Sequence, residues 1–209
     1  MSDRFHKPAR LPGSAFDYHE GGEDPAVTVR RAHESARMLV ARAHDTDDAG
    51  AVDRLVRHTD EHGLDLVAQL WATVGAETLP GALWRLYLLR AAIRSDPEAA
   101  SLAYRLGEES LRTIHPVVAG AADPAGPDEL DALADEILRG AFRGDLALAL
   151  DRASSYCRVA AAGWIGLADA RDLAAPDDAT VLTTRAARLS TIADELDQCA
   201  RLERRGSLT

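Results

Sequence analysis

The chain has 209 residues, a net charge of −10 and a pI near 5.1, with 46% apolar and 28% charged residues. That length supports one domain with a sizeable core, and that balance excludes a chain disordered by composition. The acidic surplus argues against direct nucleic-acid binding, which requires a basic face to release counterions.

Residue usage narrows the chemistry further. Lys7 is the only lysine, against twenty-three arginines and forty alanines. No Gly-rich loop past the seventh residue can therefore end in a phosphate-cradling lysine. A Schiff-base lysine and a Ser-x-x-Lys nucleophile are excluded for the same reason. The longest apolar stretches, such as Val159–Ile165, fall far short of the roughly 18–20 residues a bilayer demands. The opening MSDRFHKPARLPG has no apolar run after its basic residues, so the cytoplasm is the expected location. Cys157 and Cys199 fit that compartment as buried small hydrophobes rather than a disulfide.

In chain order, residues 1–24 read as an irregular arm broken by Pro8, Pro12, Gly13, Gly21 and Gly22. Asp24-Pro25 puts a capping carboxylate before a proline at the first helical position and predicts a helix to about His44. A second helix is expected from about Asp47 to His62, stopping at Gly63, and a third over Leu64–Val74. Pro80 then opens GALWRLYLLRAAIRS, a helix with little polar face that ends near Ser95 and belongs at the centre of the fold. Its Arg85, Arg90 and Arg94 must reach water or pair with carboxylates, unless Arg85 or Arg94 holds an anion near Trp84.

Asp96-Pro97 repeats the cap-and-proline device and starts a helix to about His115, before Pro116. The run GAADPAGP over 120–127 is the clearest linker. Helices are expected from about Asp128 to Phe142, Asp145 to Leu173 and Asp177 to Arg205. No window alternates as a strand does. The expected fold is all-α: a bundle of about eight helices over residues 25–205, with 120–127 as the one candidate subdivision.

The final two helices carry matching patterns. Leu182, Leu189 and Leu196 recur every seven residues with Ala186, Ala193 and Ala200 between them. The preceding helix offers Leu146, Leu150, Ala153, Cys157, Ala160, Trp164 and Leu167, with Gly163 and Gly166 marking either close packing or a bend. Two readings follow: an internal antiparallel contact, or an assembly seam between copies through Leu182, Leu189 and Leu196.

Candidate chemistry is sparse. His58 and His62, in HTDEH, are four apart and can share a helical face as metal-ligating pairs do, with His33 or His44 as a third ligand. The competing reading places them at a helix C-terminus, where histidines serve the dipole. The adjacent carboxylates Glu108–Glu109 and Asp135–Glu136 point to different sides of a helix and lack the Glu-x-x-His spacing of di-iron bundles. No Gly-x-Ser-x-Gly, dinucleotide fingerprint or zinc-type cysteine pairing occurs. A helix-turn-helix around Leu64–Arg90 fails because Pro80, Gly81 and the apolar Trp84, Leu86 and Leu88 stand where base readers belong.

The runs VDRLVRHTDEHG, LPGALWRLYLLRAAIRSDP, HPVVAGAADPAGPDEL, GDLALALDRASSYCRVAAAG and TTRAARLS carry a resemblance over nearly the whole chain. They resemble a family of small actinobacterial proteins, some of which are labelled RNA polymerase beta-subunit-like. The resemblance implies a helical protein and no particular activity, cofactor or site residue. A polymerase catalytic subunit is far longer and built on β-barrels, so the label suits an accessory role beside polymerase. The expected function is a non-enzymatic interaction protein of the cytoplasm, with a protein partner or a second copy, no cofactor, no direct nucleic acid and no membrane. The alternatives are a metal-binding bundle through His58 and His62, or a small-anion-binding helical domain.

Overall fold

A computed structural model describes residues 24–45, 70–112 and 126–209. Among them are six helices: α1 (Pro25–Asp45), α2 (Leu79–Ser95), α3 (Pro97–Arg112), α4 (Pro127–Arg143), α5 (Leu146–Arg171) and α6 (Pro176–Arg204). No strand occurs among the described residues, and the all-α class holds. The described residues hold six helices, against eight expected over the whole chain. The helices expected over 47–62 and 64–74 fall mostly on residues 46–69, outside the described residues. The last of that stretch departs from expectation, since residues 72–78 form turns.

Five of these six helices carry a proline in the first turn: Pro25, Pro80, Pro97, Pro127 and Pro176. Proline suits that position because the missing N–H has no intrahelical partner there anyway. Side-chain caps complete most starts. Asp24 accepts from the Ala26 amide at 3.0 Å and Asp96 from the Ala99 amide at 3.1 Å. Asp145, opening α5, accepts from the Leu148 amide at 3.0 Å. Thr78 caps α2 twice over: its hydroxyl accepts from the Gly81 amide and donates to the Gly75 carbonyl. Each such cap stabilises its helix by about 1 kcal/mol.

As its apolar circumference predicts, α2 is central. Leu79, Ala82, Leu83, Leu86, Tyr87, Leu89 and Ile93 are buried, and α1, α4 and α6 all pack on it. An aromatic chain runs through this region from Trp71 to Tyr87 to Phe142, with ring centroids 6.2 and 6.4 Å apart. The Trp71 indole N–H donates to the Ser35 hydroxyl of α1 at 3.0 Å, so the ring is both buried and satisfied. Gly81 is required here, because a Cβ would stand 2.2 Å from the Gly75 carbonyl oxygen.

The longest buried element is α5, flanked by α3, α4 and α6. It runs antiparallel to α6, since Asp151 meets Arg204, Ser154 meets Ala193 and Trp164 meets Arg185. The expected seam is this contact: Ala153, Cys157, Ala160 and Trp164 of α5 are buried with Ala186, Ala193, Leu196 and Ala200 of α6. On its other flank α5 meets α3 backbone to backbone. A Cβ on Gly107 would lie 1.9 Å from the Val159 carbonyl oxygen, and one on Gly163 1.7 Å from that of Ala103. Gly163 therefore serves close packing, whereas Gly166 meets nothing within 4 Å.

The contrast among these glycines is measurable by urea denaturation. Gly107→Ala and Gly163→Ala force two backbones apart and are expected to lower stability by about 1–3 kcal/mol or more. Gly166→Ala, exposed in mid-helix, is expected to raise it by about 0.5–1 kcal/mol.

Candidate functional site

The arginines of α2 are committed within the fold. Arg90, nearly inaccessible, donates to Asp135 of α4 at 2.6 Å, and Asp135 also receives Arg94 at 3.5 Å and Arg139 at 3.3 Å. Arg94 pairs with Asp131 in a fork at 2.6 and 3.1 Å. Arg85 donates to Glu195 of α6 at 2.5 Å and to the Gly81 carbonyl at 3.0 Å. These contacts staple α2 to α4 and to α6. They also use the guanidinium groups on which an anion site near Trp84 would depend, so that arrangement is a structural ion-pair network.

The α5–α6 face carries a second ionic set. Arg158 meets Asp194 at 3.2 Å and Asp197 at 3.7 Å, and Arg204 meets Asp151. These pairs are largely exposed and contribute little each. One hydrogen bond between these helices is buried: Ser154 donates to the Ala193 carbonyl at 2.8 Å.

The thiols are inert by location. Burial pushes Cys157 up from 9.0 to about 12 and Cys199 from 9.0 to about 11, with Arg158 and Arg85 respectively opposing the shift. Cys199 is further held by donating to the Ala76 carbonyl. Both remain protonated at neutral pH, and a thiol rather than a thiolate is a poor nucleophile and metal ligand. Tyr156 is likewise raised, first by burial, and its ring stacks on Tyr104 of α3 at 5.4 Å and 10°.

Of the histidine candidates, His58 and His62 lie outside the described residues, as does the side chain of His44. His33 is half-buried on α1. Among the described residues, no three histidines, cysteines or carboxylates gather as a metal site would need. Of the seam residues, Leu196 is fully buried, and Leu182 and Leu189 are half-buried against the same core. Leu196 is thus covered within the chain, whereas Leu182 and Leu189 keep part of their surface outward.

Comparison with protein-family models, curated proteins and solved structures gives no match. The site is therefore read from the molecule alone.

Large apolar residues stand outward at several places, Met38 and Leu148 among them, and at the end of the α5–α6 pair they lie among carboxylates. Leu173 is fully exposed in the turn, Val181 is 66% exposed and Ile165 is 48% exposed. Asp169, Asp172, Asp177 and Asp178 stand exposed among them, with Arg171 as the one opposing charge over residues 169–178. On α5, Ile165, Asp169 and Asp172 follow i, i+4, i+7 spacing and share a face. No helix among the described residues is long and apolar enough to cross a membrane.

Two measurements check the electrostatics. Asp135→Asn leaves Arg90 buried without its carboxylate and is expected to cost about 3 kcal/mol or more in chemical denaturation. Asp194→Asn, removing an exposed partner of Arg158, is expected to cost less than about 1 kcal/mol. The raised thiols set a pH window: their protonated forms stabilise the fold fully below pH 9.0, and that contribution is lost as pH rises through about 11 and 12. Stability is expected to fall over that alkaline range, less steeply in Cys157→Ala, and titrated denaturation midpoints measure it.

Proposed function

We propose that this chain is a non-enzymatic helical interaction protein of the cytoplasm that engages a basic protein partner through the end of the α5–α6 pair. The observation that carries this reading is the set of outward Leu173, Val181 and Ile165 among Asp169, Asp172, Asp177 and Asp178. Apolar residues supply desolvation at a contact, and carboxylates steer a basic partner toward it and fix its register. The net charge of −10 adds a long-range field of the same sign.

The committed interior supports the same reading. The arginines of α2 serve ion pairs, both thiols are buried and protonated, and Leu196 of α6 lies in the core. The resemblance to proteins labelled RNA polymerase beta-subunit-like makes an accessory role beside polymerase the first partner class to seek.

Affinity capture from host lysate at low and moderate salt, read by mass spectrometry, tests it. The wild-type chain is expected to retain a basic partner in salt-sensitive fashion. A Leu173→Glu, Asp169→Lys, Asp172→Lys triple variant, altered only at exposed positions and placing cations at the α5 C-terminus, is expected to lose it while melting normally. An identical captured set from both chains would refute the surface.

A further inference from the structure

Every other arginine that the described residues show at least partly buried is neutralised by a carboxylate. Arg85 pairs with Glu195, Arg90 with Asp135, Arg94 with Asp131, Arg139 with Asp135 and Arg152 with Glu136. Arg185 is the exception. It is half-buried on α6, and its guanidinium carbon sits 4.1 Å from the centroid of the Trp164 ring. It forms no hydrogen bond or ion pair with the protein among the described residues.

The neighbours one turn away along each helix are uncharged or basic in an otherwise acidic chain. One turn either side of Arg185 stand Val181, Leu182, Arg188 and Leu189. One turn either side of Trp164 stand Ala160, Ala161, Leu167 and Ala168. No carboxylate occupies any of these positions. The Arg185 charge also acts on the buried phenol of Tyr156, against which Tyr104 of α3 is stacked. Arg185 of α6 and Trp164 of α5 thus meet within the α5–α6 contact.

A guanidinium held over an aromatic ring is restrained on one side and keeps its N–H donors for another group. Those donors form a fork that fits the oxygens of a phosphate-type anion two at a time. Restraint by Trp164 means that little side-chain freedom is left to lose on binding. A half-buried cation with no carboxylate partner among the described residues is also a place where an anion offsets desolvation.

We propose that Arg185, positioned by Trp164 where α6 meets α5, binds an oxyanion of the phosphate type. Val181 of the surface at the α5–α6 turn lies one turn from Arg185, and the phosphate-dependent melting increment reads the cation independently of partner capture.

Thermal unfolding of the full chain in inorganic phosphate, against chloride at matched ionic strength, tests it. The wild-type melting temperature is expected to rise with phosphate and saturate, because a ligand that binds only the folded state stabilises by mass action. Arg188→Gln is expected to keep that rise and Arg185→Gln to lose it. Arg185→Lys, which keeps the charge without the fork, is expected to show a smaller one. The readout is the phosphate-dependent increment, so a lower starting melting temperature in Arg185→Gln does not confuse it. If Arg185→Gln fails to fold, the Arg185→Lys comparison decides the question. Absence of a phosphate-specific rise in wild type overturns the proposal. So does an undiminished rise in Arg185→Gln or, where that variant cannot fold, in Arg185→Lys. A parallel titration with phenyl phosphate separates the sources: saturation at lower concentration by the ester marks a site for a phosphorylated group, and by the inorganic ion a site for free phosphate.

Discussion

The narrowness of α5 is the constraint on which the packing turns. Three helices close on it, and each approach is set by how little side chain stands in the way. On the α3 side the limit is reached, because Gly107 and Gly163 let carbonyl oxygens of one helix occupy the space a Cβ of the other would need. On the α6 side alanines and Cys157 do the same more moderately. Helices this close gain many dispersion contacts per turn and align their backbones tightly. The forty alanines of the chain are in this sense a packing specification as well as a helix-forming one.

Close packing of this kind leaves few cavities and little interior for polar groups, and the charges are arranged accordingly. Arginine suits the role because its guanidinium is always charged and forked, matching a carboxylate oxygen for oxygen. The central pair, Arg90 with Asp135, lies deepest and draws in Arg94 and Arg139 around one acidic side chain. Toward the outside, pairs such as Arg158 with Asp194 become exposed and weak. Burial and ionic strength therefore run in parallel from α2 outward. Arg185 departs from that gradient by resting on Trp164 instead of on a carboxylate.

The two ends of the α5–α6 pair are used differently. Near the α6 C-terminus the chain is fastened: Gly206 adopts a left-handed φ of 64°, Ser207 donates to the Leu202 carbonyl, and the Thr209 carbonyl accepts from Leu79 at the start of α2. Leu208 packs on the core there. At the opposite end Leu173 stands fully exposed between acidic residues. A fastened base thus lies opposite an exposed, charged tip, where a partner meets helix ends already held in place.

Local signals in the sequence sufficed for what depends on neighbours along the chain. The Asp-Pro starts at 24–25 and 96–97, the Asp145 cap, the apolar circumference of α2 and the matched stripes of α5 and α6 all follow from spacing and hydrogen-bonding chemistry within a few residues. What needed the tertiary structure was every choice among partners distant in sequence. The stripe on α6 suited a second copy as well as α5, and only the register of Ser154 on Ala193 shows which it meets. The arginines of α2 announced a need for carboxylates without naming Asp131, Asp135 or Glu195. Gly107 gave no signal at all, since a glycine required by another helix looks like any helical glycine until that helix is in place. Arg185 was hidden for the same reason: its seat on Trp164 is a contact between two helices, and no window of one of them contains it.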